Sequence, residues 1–383
     1  MNGADMKPTE LTVELVRQVD ESYPIVVGRG LEDKVVELAS RPGFANRRIS
    51  LITDSTVVDL VSPQLVAAFE AAGRGVDVVT FPAGEINKTR ATKEQIEDEL
   101  IARGFGRDTL IIAAGGGVVT DLVGFVAATF TRGVPYISYV TTLLAAADAA
   151  VGGKTAVDTP QATNLIGAFH QPSAVVIDLD RWLTLSDAQI RDGLGETVKH
   201  GCIADAEFFA SLENAFVTRG LTPAEFVRDD ALAELTARRN CEIKRDFVVS
   251  DVFEGNRRMG LNLGHTIGRA LETAMGYTMS HGECVAVGTN LQMRLGARFG
   301  YCTNEEQQRF ETLLKAIGLP YELPESVTVD GIMDAMLHDK KGLTGVIRFV
   351  FQRGIGDLML FDGGAYARPV DAEEIRDFLA AQK

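Results

Sequence analysis

The sequence predicts an α/β domain with a parallel sheet, followed by a mainly α-helical domain. Two observations carry that reading: short β-branched runs alternate with helical patterns from residue 49 to about 180, and beyond "LSDAQIRDGLGE" the chain turns to longer amphipathic segments. Alternation of that kind is the mark of βαβ units, whose parallel strands need helical crossovers. A chain of 383 residues is long enough for two domains with separate cores. The boundary is expected near residue 185, giving a domain over 1–185 and another over 186–383.

In chain order the expected strands are "ISLITD" (49–54), "VDVVTFP" (76–82), "TLIIAAGGG" (109–117), "VPYISYVTT" (134–142) and "AVVIDLD" (174–180), with "KEQIEDELIARGF" (93–105) a typical intervening helix. The segment 148–172, "DAAVGGKTAVDTPQATNLIGAFHQP", reads as a long polar, Gly-rich connection. The second half offers helices over "DAEFFASLENAF" (205–216), "DDALAELTARRNCEIKRDFV" (229–248) and "NEEQQRFETLLKAIG" (304–318), with strand signal returning only in "GVIRFVFQRGIGDLML" (345–360).

Composition narrows the class of function. A net charge of −15 with no basic stripe argues against nucleic acid as a partner, although a pocket inside an acidic protein can still be cationic. The longest apolar runs are broken by Gly or Asp before they reach a membrane span, so no membrane association is expected. The N-terminal "MNGADMKPTELTVE" has neither the basic start nor the apolar middle of a signal peptide, which points to a cytoplasmic protein. Cys202, Cys241, Cys284 and Cys302 are isolated and read as reduced thiols.

The chemistry-bearing residues cluster in a few stretches. "AAGGGVVTD" follows a buried strand and opens an apolar helix; three glycines let backbone approach a pyrophosphate while the helix N-terminus offers free N–H groups, although glycine turns after strands are common for other reasons. Asp54, Glu85 and Lys88 stand at strand C-termini, where open α/β sheets bind ligands, or else are ordinary turn residues. "GGKT" is not a P-loop, because the glycine that motif requires five residues earlier is Asp148; its Lys154 suits an anionic group or a solvated loop. "GLGETVKHG" places Glu196 and Lys199 on one helical face with His200 beside them, and His265 and His281 each stand just behind a glycine or serine at a helix mouth. One carboxylate and two imidazoles are a common ligand set for catalytic zinc, and a satisfied structural histidine is the alternative for each one singly.

Together these segments resemble the dehydroquinate synthases and their sugar phosphate cyclase relatives over roughly residues 20 to 365. The order GGGVVxD, FxRG, TTLLAxxD, GGKT, NLIGAFxQP, GExxKHG, LNxGHT, HGExVAxG and DKK is specific as a set. The resemblance implies a Rossmann-like N-terminal domain, a helical C-terminal domain and a homodimer. It implies Zn2+ or Co2+ on Glu196, His265 and His281. NAD is implied against Asp54, Glu85, Lys88, Gly115, Gly116, Gly117, Asp121, Thr141, Thr142 and Thr184. A small phosphorylated sugar acid would meet Asp148, Lys154, Asn164, Lys199, Lys244, Arg258, Asn262, Arg269 and Lys340 or Lys341, with Arg132 from a neighbouring subunit. The implied reaction converts 3-deoxy-arabino-heptulosonate 7-phosphate to 3-dehydroquinate and phosphate, by transient oxidation, elimination, reduction and aldol closure.

Two departures bear on anion binding: Thr163 stands where the family usually has Lys, and Arg269 where it has the second histidine of GHxxGH. Smaller ones are Thr120 for glycine, Val140 for proline and Asp158 for asparagine. Thr163 removes a cation, while Arg269 can still donate to phosphate. A cyclase of secondary metabolism with another sugar phosphate is therefore an alternative. A metal-dependent polyol dehydrogenase is a further one, opposed by the cationic residues, as is a non-catalytic binding protein, opposed by three retained ligands.

Overall fold

The computed structural model describes residues 10–16, 18–160, 162–340 and 346–383. Its first half is laid down as β1 (Ile25–Gly28), α1 (Glu32–Ala39), β2 (Arg48–Asp54), α2 (Val58–Ala71), β3 (Val76–Phe81), α3 (Arg90–Ala102), β4 (Thr109–Gly115), α4 (Gly117–Thr129), β5 (Tyr136–Val140), α5 (Leu143–Ala147), β6 (Lys154–Thr159), β7 (Ala162–Phe169), β8 (Ala174–Asp178) and α6 (Leu179–Trp182). Six of these strands form one parallel sheet in the order β1-β8-β5-β4-β2-β3. Its central strand β4 is buried at every position, because helices cover both faces. The order reverses between β2 and β4, which opens a crevice at their carboxyl ends, beside Asp54 and Gly115.

Two expectations for this half need correction. The sheet starts earlier than residue 49: "IVVG" forms β1 and pairs in parallel with β8, from Ile25 opposite Val175 to Gly28 opposite Asp178. The segment 148–172 is no loose connection either. β6 and β7 form an antiparallel hairpin from Lys154 opposite Phe169 to Thr159 opposite Ala162, lying on α4, where a Cβ on Gly124 would strike Thr155.

The second half continues as α7 (Asp187–Ala204), α8 (Ala206–Glu213), α9 (Pro223–Arg228), α10 (Asp230–Ser250), α11 (His265–Ala274), α12 (His281–Arg298), α13 (Asn304–Ile317), α14 (Val329–Lys340), β9 (Arg348–Val350), β10 (Ala367–Pro369) and α15 (Ala372–Ala380). α7, α12 and α13 start in capping boxes at Ser186, Ser280 and Thr303, which satisfy the first free N–H groups and fix where each helix begins. The expected strand near the end shrinks to β9, paired with a β10 that the pattern did not announce. The largest apolar core runs across both halves, joining Val140, Val175 and Trp182 to Ile190, Val198, Phe247 and Leu314.

Candidate active site

Three helices deliver the acid-imidazole group. Glu196 lies mid-way along α7 and is fully buried, whereas His265 and His281 are the first residues of α11 and α12. One ligand atom from each falls within 4.8 Å of the others. Glu196 Oε1 is 3.0 Å from His281 Nε2 and 3.4 Å from His265 Nε2. The opposite ring nitrogens are held from behind: His281 Nδ1 pairs with Glu272 Oε1 at 2.6 Å, and His265 Nδ1 with the Leu263 carbonyl at 3.2 Å. Both imidazoles thus turn Nε2 inward with Nδ1 as donor, the arrangement that orients metal-binding histidines. Burial alone would keep Glu196 protonated, but Lys199 and the two imidazoles outweigh it and hold the carboxyl well below its ordinary range.

The backbone explains the glycines around this group. Gly264, at φ 81°, caps α11, and its N–H donates to Gln292 Oε1 at 2.9 Å. The Gly282 N–H donates to Asp192 Oδ1 at 2.6 Å, which ties the start of α12 to α7 one turn before Glu196.

A cationic wall adjoins it. Lys199, 1% exposed, pairs with Glu196 Oε2 and donates to the Leu261 carbonyl at 2.8 Å. Lys244 donates to Asp148, both to its carbonyl and to its carboxylate. Burial raises the Asp148 pKa, yet Lys244 and Lys199 drive it well below the usual range. Arg258 is 1% exposed and spans the Val252 carbonyl at 2.6 Å and the Gly152 carbonyl at 3.0 Å. A Cβ on Gly152, at φ 98°, would collide with that guanidinium, so this glycine makes room for an arginine, while one on Gly153 would strike the Gln171 side chain. Lys154 pairs with Glu254, which also accepts from Asn262 Nδ2 at 2.7 Å. Lys154, Lys199, Lys244 and Arg258 thus face Asp148, Glu196 and Glu254. Glu254 was not singled out from the sequence. It sits at φ 60° in an irregular stretch, so no periodicity announces it.

At the sheet's carboxyl edge the glycine turn meets its expected neighbours. Gly116 caps α4, and a Cβ there would lie 2.9 Å from Thr142 Cγ2, while one on Gly115 would run into Val119. Gly117 opens α4, the Thr141 N–H donates to the Gly115 carbonyl at 3.0 Å, and Thr142 caps α5. The Thr141 hydroxyl is buried without a partner. Asp54 Oδ1 accepts from the N–H groups of Thr56 at 2.8 Å and Val57 at 2.9 Å. Lys88, 3% exposed, pairs with Asp121 at 2.8 Å, Glu85 at 3.2 Å and Asn164 Oδ1 at 2.7 Å. Asn164 therefore stands in the Lys88 group rather than beside Lys244.

The remaining candidates lie further out. Arg269 is exposed on the first turns of α11, its guanidinium without a hydrogen bond or ion pair among the described residues, yet its charge bears on both His265 and Glu272. Thr184 is exposed after α6 and folds its hydroxyl back onto the Arg181 carbonyl at 2.7 Å. Arg132 is exposed, at φ 71°, on the turn that enters β5, the opposite edge of the sheet from the crevice. Lys340 closes α14, and Lys341 lies outside the described residues.

The parallel sheet followed by a mostly helical second half is the architecture of the dehydroquinate synthase-like sugar phosphate cyclases. Among solved structures, 2-epi-5-epi-valiolone synthase from Streptomyces hygroscopicus, with NAD+ and Zn2+ bound, matches with a TM-score of 0.83 and 28% identity over 97% of this chain and 99% of that one. A 2-deoxy-scyllo-inosose synthase complexed with carbaglucose-6-phosphate, NAD+ and Co2+ matches with a TM-score of 0.82 and 25% identity over 94% and 96%. The chain belongs to the 3-dehydroquinate synthase family, whose N-terminal part matches residues 78–192 and C-terminal part residues 193–342. The 3-dehydroquinate synthase of Pelobacter propionicus is 38% identical over 91% of this chain and 96% of its own length. That of Desulforamulus reducens is 40% identical over 90% and 95%.

Proposed function

We propose that the protein is a phosphate-eliminating cyclase that converts 3-deoxy-arabino-heptulosonate 7-phosphate to 3-dehydroquinate and phosphate. The observation that carries the reading is the donor set Glu196, His265 and His281, built against the buried cations Lys199, Lys244 and Arg258. Two imidazoles that turn Nε2 inward and one carboxylate suit Zn2+ or Co2+ and leave a coordination position open. The glycine turn and the unpartnered Thr141 hydroxyl suit the pyrophosphate and nearby groups of NAD, with Asp54, Glu85, Lys88, Asp121 and Thr142 beside them and Thr184, further out, as an additional contact. When bound, NAD supplies reversible hydride abstraction and the metal supplies polarisation of the oxidised oxygen.

The chain's own residues bind and orient. Arg258 and Lys244 compensate the carboxylate of the substrate, while Lys154, Asn262 and Arg269 face its phosphate; Asp148 holds Lys244 in place. Asn164 reaches this site through Lys88, and Lys340 or Lys341 contributes a further cation. Arg132, on the far edge of its own sheet, serves the site of a second copy in a homodimer. A cytoplasmic location accompanies this chemistry.

Phosphate release from a panel of heptulose phosphates tests the reading. Phosphate should accumulate far beyond the NAD supplied, with no steady growth of NADH absorbance. One NADH per product would instead indicate a polyol dehydrogenase. Thr163 and Arg269 favour one second reading, a cyclase for another sugar phosphate; turnover of such a substrate with none of the heptulosonate would establish it. Thr163→Lys should improve the heptulosonate if the lost cation merely weakened binding.

A further inference from the structure

α7 carries Glu196 and Lys199, while α10 carries Lys244, and one buried polar link joins the two helices. His200 Nδ1 lies 3.0 Å from Asn240 Oδ1, Asn240 Nδ2 donates to Thr197 Oγ1 at 2.9 Å, and that hydroxyl donates to the Gly193 carbonyl at 2.9 Å. Thr197, His200 and Asn240 are all completely buried. Because an amide oxygen only accepts, the ring must carry its proton on Nδ1. Burial, with Lys199 and Lys244 close by, drops the His200 pKa to about 3, so the ring stays neutral and the link keeps one direction at any working pH.

Around the link both helices contribute small or apolar side chains to one buried core, Val198 from α7 and Ala233 and Ala237 from α10. Such contacts are non-directional and tolerate sliding, whereas a single buried hydrogen-bonded pair has one register, since any other leaves polar groups unpaired without water. Asn240 lies one turn before Lys244, so whatever fixes the former along α10 fixes the latter. His200 itself stands next to Lys199.

We propose that His200 is a positioning residue that, through Asn240, sets Lys244 at its working distance from Glu196 and Lys199. The inference rests on Lys244 contacting substrate, as proposed above. Two measurements test it. The first is amine labelling of the full-length protein with acetic anhydride, read by mass spectrometry, which needs no substrate. Labelling of Lys244 should rise severalfold in His200→Phe and return to the wild-type level in His200→Asn, whose amide nitrogen can take the place of Nδ1. Lys199, held by Glu196 and Leu261, should stay protected. His200→Gln, which moves the donor to the wrong position, replaces the phenylalanine variant should that one fail to fold. Unchanged labelling of Lys244, or equal gains at Lys199, overturns the inference.

The second is a double-mutant cycle on KM. His200→Phe should raise KM about tenfold with bound metal and NAD affinity retained, and adding it to Lys244→Ala should cost nothing more, since coupled residues are not additive. Additive losses overturn the inference. A wild type that releases no phosphate from the heptulosonate overturns the proposed substrate instead, and labelling then decides the role of His200.

Discussion

Arg269 and Asp158 are two of the positions at which this chain departs from the usual family pattern, and each makes a prediction. Arg269 is exposed, so the hydrogen bond to a phosphate proposed for it would be partly screened and worth about 1 kcal/mol rather than the 1.5–3 of a desolvated one. Arg269→Ala should therefore raise KM roughly fivefold with bound metal unchanged, and Arg269→His should lose less; an unaltered KM would remove Arg269 from the site. Asp158 Oδ1 accepts the Asn164 N–H at 2.8 Å, and burial, with Glu85 adding to it, pushes its pKa up to about 6 against the pull of Lys88. The folded protein then binds this proton more tightly than the unfolded chain, so the stability the group contributes is present below its ordinary value near 4 and is lost as pH rises towards about 6. Asp158→Asn keeps the accepting oxygen and removes the charge. Its thermal midpoint should match or exceed wild type at pH 7, with the advantage shrinking as pH falls and gone below pH 4; a lower midpoint at pH 7 would contradict this. At this scale the sequence was most readable where residue type sits at a helix mouth, as with His265 and His281. It was silent at Glu254, whose place depends on a positive φ in irregular backbone.

The elements show why the ligands can meet at all. α7 and α12 touch backbone to backbone where Gly195 faces Gly282, and α12 meets α11 where Gly288 faces Gly264 and Gly268. A Cβ on Gly195 would collide with the Gly282 carbonyl, and overpacking of this kind costs about 1–3 kcal/mol while pushing the Glu196 helix away from His281. Gly195→Ala should lower both bound metal and the unfolding midpoint. Gly75→Ala, which meets nothing within 4 Å, is the control that should change neither; equal metal content in the two variants would show that helix spacing does not set the site. Most strands were legible because β-branched runs of five to seven residues lie between glycine and proline turns. β1 was not, since three apolar residues and a glycine carry no period and its partner β8 lies far along the chain. The hairpin of β6 and β7 was hidden by its polar and glycine-rich composition, which reads as loop until the pairing with α4 beneath it is seen.

For the whole molecule, the two compositional halves were legible but the core that joins them was not, because a helix's pattern shows that it has an apolar face and not what that face covers. Trp182, the single tryptophan, is completely buried at the junction, packed in the cluster that includes Val175 from the sheet and Ile190 and Val198 from α7. Neither half can bury its share of that cluster alone. Unfolding should therefore be one cooperative event, with tryptophan fluorescence and far-ultraviolet circular dichroism following the same curve. The proposed ligands lie on three helices of the second half, and an ion that binds only the folded chain adds about 2.7 kcal/mol when its free concentration is a hundredfold above the dissociation constant. A chelator should thus abolish turnover and move the single transition down by a few degrees without splitting it, because loosening α7 also loosens the strands packed on it. Zn2+ or Co2+ should restore both. Two separated transitions after metal removal would show instead that the halves fold independently, and full activity in a metal-free preparation would remove the ion from the reaction.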